Sequence, residues 1–264
     1  MHFSDLLEQL RQSPAQEVAA PATWAQGRAL FGGLVAGLLY QGAREQVAAD
    51  RLVRSFSISF VGPVAPEVPL RVVAQVLRAG RAVTQVQVHG MQGEQVQAVA
   101  LVSFGAARES VLQVPAVAAP EVKPPEQAWA IPFIEGVSPA FGRYFDWRYA
   151  IGAVPFSGVQ DREMGGWVRF HDPQPAITEA HLLGLVDAWP PAVLPMLSER
   201  APASTLTWTI DFIHPLPAIA SDDWLLYRAV VDHVRDGYNQ ASSRLWTRSG
   251  QLIALSRQTV AVFG

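Results

Sequence analysis

Asp187 closes the run HLLGLVDAW, whose other residues are almost all apolar. A carboxylate there is either the polar end of a buried helix or an interior charge held by partners, because burying it unpartnered is costly. Burial raises a carboxylic acid's pKa and hydrogen bonds to its ionised form lower it, so their balance sets its strength as a base. Gln258, in LSRQTVAV, shares one strand face with Ser256, while Arg257 and Thr259 take the other. Facing outward it is an ordinary surface residue; facing inward it offers a water molecule both a carbonyl and an amide. Thr205 opens TLTWT, where three threonines alternate, and threonine is common in strands for purely structural reasons. Gly32 and Gly33 precede the apolar helical run that starts at Leu34. A helix beginning there presents unpaired N–H groups and partial positive charge, suited to negative charge developing on a carbonyl oxygen. Tight packing of helix on sheet, or a loop before the helix, accounts for the same two glycines.

Other chemistries lack their residues. The six histidines (His2, His89, His171, His181, His214, His233) show no H-x-x-x-H or H-E-x-x-H spacing, so no metal site is expected. His181 precedes Asp187 by six positions, a separation that does not place both on one helix face. There is no cysteine, which removes disulfides, thiolate nucleophiles and cysteine-ligated metals together. There is also no G-x-S-x-G elbow, no P-loop and no G-x-G-x-x-G after a strand, so a serine esterase and a nucleotide-driven enzyme both lack support.

The 264 residues are 50% hydrophobic and 16% charged, with net charge −3. That is poorer in charge than an average chain, at about 25%, and implies a large interior and no nucleic-acid partner. The opening, MHFSDLLEQLRQS, lacks a basic start and a long apolar core and is not a secretory signal. It reads as a short amphipathic helix capped by Ser4, with Leu6, Leu7 and Leu10 on one face. The longest apolar stretch, Leu34–Tyr40, falls far short of the ~20 residues of a membrane span. A soluble, cytoplasmic protein is the expectation.

The elements that must position these residues come in two similar sets. RALFGGLVAGLLYQGAR (Arg28–Arg44) reads as a helix despite its glycines. RSFSISFVGPV (Arg54–Val64) then alternates, with Phe56, Ile58 and Phe60 on one face. Leu70–Gly105 continues as strands, with turns at Ala79-Gly80 and Gln92-Gly93. Between Val114 and Pro132 five prolines interrupt any sheet and predict a stiff extended linker. Beyond it the pattern returns: a helix in Ile177–Pro195, with Thr178 and Glu179 at its start, then the alternating TLTWTIDFIHPLP (Thr205–Pro217). FVGPV matches FIHPL, and RAGRAVTQVQVHGMQG matches RDGYNQASSRLWTRSG, with Gly80 to Gly93 and Gly237 to Gly250 equally spaced. Both sets finish on Phe-Gly, at Phe104-Gly105 and Phe263-Gly264. Helix followed by long antiparallel strands is the order of the hotdog fold, in which a curved sheet wraps a helix. The fold class predicted is α+β, a double hotdog: an N-terminal unit over 1–110, a Pro-rich linker over 111–135 and a C-terminal unit over 136–264.

With these segments in this order, nearly the whole chain resembles the acyl-CoA thioesterase II family of double-hotdog enzymes. The resemblance rests on LFGGLVAGLLYQGA, on SFSISFVGPV followed by LRAGRAVTQVQVHGMQ, and on the leucine-rich DLLEQL. It implies hydrolysis of acyl-CoA to a fatty acid and free coenzyme A, by a water that an Asp, a Ser or Thr, and a Gln bind and orient. These fall on Asp187, Thr205 (or Thr207, two positions on) and Gln258, with backbone N–H groups at Gly32 and Gly33 for the oxyanion. Neither metal nor other cofactor is implied. An apolar tunnel between the units would take the acyl tail, and a homo-oligomer, dimer or tetramer, is expected. Arg78-x-Gly80 and Arg235-x-Gly237 either meet coenzyme A phosphates or are solvated turn arginines. Where the family carries Asp-His after the hydroxyl residue, this chain has Thr207-Trp208, and Trp189 and Trp208 are bulky enough to shorten or reshape the acyl site. The alternatives are a non-catalytic acyl-CoA or acyl-chain binding protein of the same fold, and an enoyl-CoA hydratase. The latter calls for an Asp–His pair on one helix, which is absent.

Overall fold

The computed structural model describes residues 1–263; Gly264, the end of the second Phe-Gly pair, lies outside them. Among the described residues three α-helices form: α1 (Phe3–Gln12), α2 (Gly32–Arg44) and α3 (Glu179–Asp187). In the first half the strands are β1 (Glu17–Val18), the small hairpin β2 (Ala25–Gln26) and β3 (Ala29–Leu30), β4 (Leu52–Phe60), β5 (Leu70–Ala79), β6 (Val83–Gln92) and β7 (Gln95–Gly105). The second half adds β8 (Trp129–Ile131), β9 (Phe145–Ile151), β10 (Glu163–Phe170), β11 (Ala203–Phe212), β12 (Leu225–Arg235), β13 (Tyr238–Thr247) and β14 (Leu252–Val262). Outside the hairpin, one continuous 12-stranded sheet runs β1-β5-β6-β7-β4-β11-β14-β13-β12-β10-β9-β8. Its neighbours are antiparallel throughout.

The two units therefore join edge to edge. β4 pairs with β11, setting Ile58 against Trp208 and Phe56 against Ile210, all four buried. This pairing removes two exposed sheet edges. Alternation in RSFSISF makes the seam: its apolar set faces the helices, and its serines face outward, as period-two residues must. Each half contributes one helix, α2 or α3, to the concave face. The architecture is an α+β double hotdog.

The two central helices run antiparallel and touch along glycines. A Cβ on Gly37 would stand 2.6 Å from the Phe3 ring and 3.2 Å from the Ala180 carbonyl oxygen. Phe3 is almost wholly buried in that notch, edge-on to Trp24 and tilted against Phe170. The helix-weakening glycine of α2 is thus traded for close approach of a second helix, roughly 1 kcal/mol against the burial of a whole ring.

Several local expectations change. Residues before Gly32 do not extend α2; they form a short 3-10 turn (Ala22–Trp24) and the β2–β3 hairpin. The first helix is capped at His2, whose N–H donates to Asp5 Oδ2 at 2.6 Å. Ser4 lies inside the helix and donates to Gln174 Oε1 at 2.9 Å. The proline-rich stretch does carry a strand near its end, β8, because Trp129–Ile131 contains no proline and adds to the edge at β9. Residues 106–128 form neither helix nor strand. Part of this segment crosses the outer face of the second sheet, where Trp246 Nε1 donates to Val117 O and Trp167 Nε1 to Lys123 O.

His181 ties α1 to α3. Thr178 N–H donates to its Nδ1 at 3.2 Å, which leaves Nε2–H to meet Ser4 Oγ at 2.8 Å. Burial pushes its pKa down to about 4 from 6.5. The unfolded chain binds this proton between those values while the native ring does not, so stability is intact above pH 6.5 and lost as pH falls towards 4. About 3 kcal/mol is expected from that shift. Urea unfolding of wild type and His181→Gln across pH 7 to 4 checks it: the wild-type curve should fall more steeply, and parallel curves refute it.

Candidate active site

Asp187 is the last residue of α3, and the antiparallel packing delivers it to the start of α2. A Cβ on Gly32 would lie 2.9 Å from Asp187 Oδ2, and one on Gly33 would lie 3.0 Å from Asp187 Cβ. The carboxylate thus occupies the positive end of α2, against a backbone stripped of side chains. Gln258 Nε2 donates to Asp187 Oδ1 at 3.0 Å. Burial raises the Asp187 pKa to about 7 from 3.8, partly opposed by the Gln258 amide and the Gly33 backbone N–H. A carboxylate with that pKa is half-ionised near neutrality, where a general base works best.

Gln258 faces inward. On β14 the side chains of Ala254, Ser256, Gln258 and Val260 share the concave face, because Ala254 and Val260 are core residues and the strand alternates. Opposite Gln258 on β11 stands Trp208, whose indole N–H donates to Ser256 Oγ at 2.8 Å in the interior. Thr205 reaches the same face through an irregularity. β11 pairs Thr205 with Val260 but Thr207 with Thr259, so Leu206 is an extra residue that reverses the alternation. Thr205 is half-buried on the concave side and Thr207 is exposed on the convex side. That bulge separates the two candidate registers; no sequence signal marks it.

Of the five site residues expected from sequence, Asp187, Gln258, Gly32 and Gly33 come together directly. Thr205 sits on the same concave face, diagonal to Gln258, with no hydrogen bond to Asp187. The Gly33 N–H is directed at Asp187, while Leu34 and Val35 donate to Phe31 O. Gly32 therefore carries the remaining donor of the first turn. The site also draws on both units, since α2 belongs to the first and α3, β11 and β14 to the second.

The sequence singled out Trp189 for its bulk but not its tyrosine partners in an aromatic wall beside Asp187. Trp189 stacks on Tyr227 (centroids 5.5 Å apart, planes at 7°) and tilts against Tyr149 at 4.9 Å. Burial pushes the Tyr227 phenol up to about 12, eased by the Ser243 hydroxyl and increased by the Asp187 charge. Its place on β12 made it look like any strand aromatic; only pairing across three strands brings it near α3. Two open surface clefts lie elsewhere, one bordered by Glu17, Arg71 and Glu94, the other by Glu121, Trp167 and Arg248. The apolar tunnel expected between the units is neither of them. Among the described residues no cluster of three or more His, Asp or Glu could hold a metal ion, and no helix is long and apolar enough to cross a membrane.

The fold is a double hotdog with a carboxylate on one helix facing the glycine start of the other, and comparison with known proteins says which family has it. Residues 20–105 match the model of the acyl-CoA thioesterase N-terminal domain, and residues 121–262 that of the acyl-CoA thioesterase C-terminal domain. The chain belongs to the acyl-CoA thioesterase family. Among solved structures it is similar to a hot dog fold protein of unknown function from Alicyclobacillus acidocaldarius (25% identity, TM-score 0.80, covering 94% of this chain and 92% of that one). A putative thioesterase II from Thermobifida fusca shares 23% identity at TM-score 0.80, with 94% and 92% covered. An acyl-CoA thioesterase II from Mycobacterium marinum shares 19% at TM-score 0.73, with 94% and 93% covered. No curated protein matches significantly.

Proposed function

We propose that the chain hydrolyses acyl-CoA, with Asp187 as general base. The observation that carries this reading is the Asp187 carboxylate, its pKa raised to about 7, held by Gln258 and facing the N-terminus of α2. Asp187 removes a proton from a water that Gln258 and Thr205 help to orient. The water attacks the thioester carbonyl, the Gly32 N–H and the α2 dipole stabilise the oxyanion, and coenzyme A leaves as the thiol. No covalent intermediate forms. Trp189, two residues after the acid, and Trp208, opposite Gln258 on β11, are both buried and favour short or medium acyl groups over long ones.

Residues 1–110 and 136–264 act as the two hotdogs, with 111–135 joining them, and a cytoplasmic setting suits a coenzyme A ester. A homo-oligomer, dimer or tetramer, is supported by the outer face of the first sheet, where Val73 and Leu101 are exposed among uncharged neighbours such as Gln75 and Gln87; interface centres are likewise poor in charge.

Thiol release from acetyl- to palmitoyl-CoA tests the reading. Turnover is expected, with kcat/KM rising tenfold per pH unit below about 7 and level above it, because only the ionised acid accepts a proton. Binding without turnover would instead identify a non-catalytic acyl-CoA binding protein, and loss of enoyl absorbance a hydratase.

A further inference from the structure

Asn239 is fully buried on β13, and neither its Nδ2 nor its Oδ1 has a hydrogen-bond partner. Leaving such an amide unpaired typically costs about 1–3 kcal/mol per group, and buried polar side chains are otherwise almost always satisfied. A valine or leucine of similar size would remove the cost.

Its position is informative. Along β13, Asn239, Ala241, Ser243 and Leu245 alternate onto the concave face, where Leu245 and Ala241 belong to the main core. Asn239 lies opposite Val260, which lies opposite Thr205. Ala241 lies opposite Gln258, which lies opposite Trp208. Asn239 is therefore the diagonal neighbour of Gln258, roughly 7–8 Å away between Cα atoms by sheet geometry. It ends a polar strip of Ser243, Ser256 and Gln258 on a face that is otherwise apolar.

The geometry points to Asn239 as the recognition group for a polar oxygen on the acyl chain, so that the preferred substrate is a hydroxyacyl or oxoacyl thioester. This rests on the hydrolase reading above. Once the thioester carbon is placed between Asp187 and Gly32, the coenzyme A arm must lead out to solvent. The acyl arm is left to run inward, past Gln258 to the Asn239 row. A carboxamide there donates to a carbonyl or hydroxyl oxygen and accepts from a hydroxyl. A plain alkyl chain leaves both its atoms unpaired, which is how a polar pocket rejects an analogue lacking the oxygen.

The experiment compares hexanoyl-CoA with 3- and 5-hydroxyhexanoyl-CoA on wild type, Asn239→Leu and Asn239→Ala, by thiol release and by calorimetric binding of the matching non-hydrolysable thioethers. Wild type is expected to prefer at least one hydroxyacyl substrate by tenfold or more in kcat/KM, and that ratio should collapse to within threefold of unity in both variants. The Asn239→Leu protein should also melt at a higher temperature. An unchanged ratio in a folded variant, or no hydroxyacyl preference in wild type, overturns the inference; loss that is uniform across the three substrates does so too, placing Asn239 on the coenzyme A side or in a structural role. Absence of thiol release from every substrate defeats the hydrolase reading instead, and the thioether affinities then decide Asn239 alone.

Discussion

Asp187→Asn is expected to lower kcat/KM for acyl-CoA about 1,000-fold while making the protein more stable above pH 7. The rate loss follows from removing the general base, a contribution of typically 10²–10⁴. The isosteric amide keeps an oxygen for the Gln258 amide to donate to, so the geometry of the site survives. The stability gain follows from the sign of the pKa shift. Burial raises the folded pKa to about 7 from 3.8, so the native state holds a proton that the unfolded state releases between those values. The stability this proton contributes is complete below pH 3.8 and gone once pH passes 7. The shift is worth roughly 4 kcal/mol at full value; partial exposure and the donor lost opposite Gly33 reduce the net gain of the variant to about 1–2 kcal/mol. Urea unfolding from pH 5 to 9 should show the variant pulling ahead as pH approaches 7 and the gap then staying constant. A rate loss below tenfold would remove Asp187 from the chemistry, and a gap that ignores pH would remove the raised pKa.

Gly33→Ala should cost about 100-fold in turnover and roughly 1–3 kcal/mol in stability through the addition of one methyl group. That methyl would stand 2.5 Å from the Phe31 ring and 3.0 Å from Asp187 Cβ. Phe31 cannot yield, since it is fully buried, stacked on Phe141 at 4.2 Å and set edge-on to Phe145 at 5.7 Å. Overpacking of this kind costs about 1–3 kcal/mol. The remaining relief is movement of Asp187 away from α2, and a displacement near 1 Å can cost 10²-fold in rate. Steady-state kinetics should show the loss mainly in kcat, because the base moves rather than the substrate contacts. Gly93→Ala is the control: Gly93 lies in the distant β6–β7 turn with a positive φ of 58° and no atom within 4 Å of a Cβ, so it should cost stability through backbone strain alone. Similar kinetics for both variants would show that the glycine at 33 does not position the acid.

How legible the site was depended on the kind of signal. Gly32, Gly33 and Asp187 stood out because each violates its surroundings: glycines inside an apolar helix, a carboxylate after an apolar run. Gln258 was readable as one of two faces of a strand, and its inward choice waited on which alternate residues the core took. Thr205 against Thr207 was undecidable in one dimension, since the bulge at Leu206 is a property of pairing between β11 and β14. Trp189 was legible only as bulk near the acyl site, and Tyr227 and Asn239 left no mark at all. Their types are ordinary for strands and helix ends, and their roles come from neighbours about 20 to 40 positions away in the chain.

By itself, the sequence determined the periodicities, the duplicated helix-and-meander order and the absence of cysteine. These are local or compositional properties, and they define the double hotdog because period-two and period-3.6 patterns admit few ways to bury their apolar faces. Tertiary structure decided that α2 and α3 run antiparallel, that β4 zips to β11, and hence that an acid from one half meets the helix start of the other. It also raised the Asp187 pKa and left Asn239 unpaired. Those outcomes depend on solvent exclusion and on contacts between segments far apart in the chain, which no pattern along it encodes.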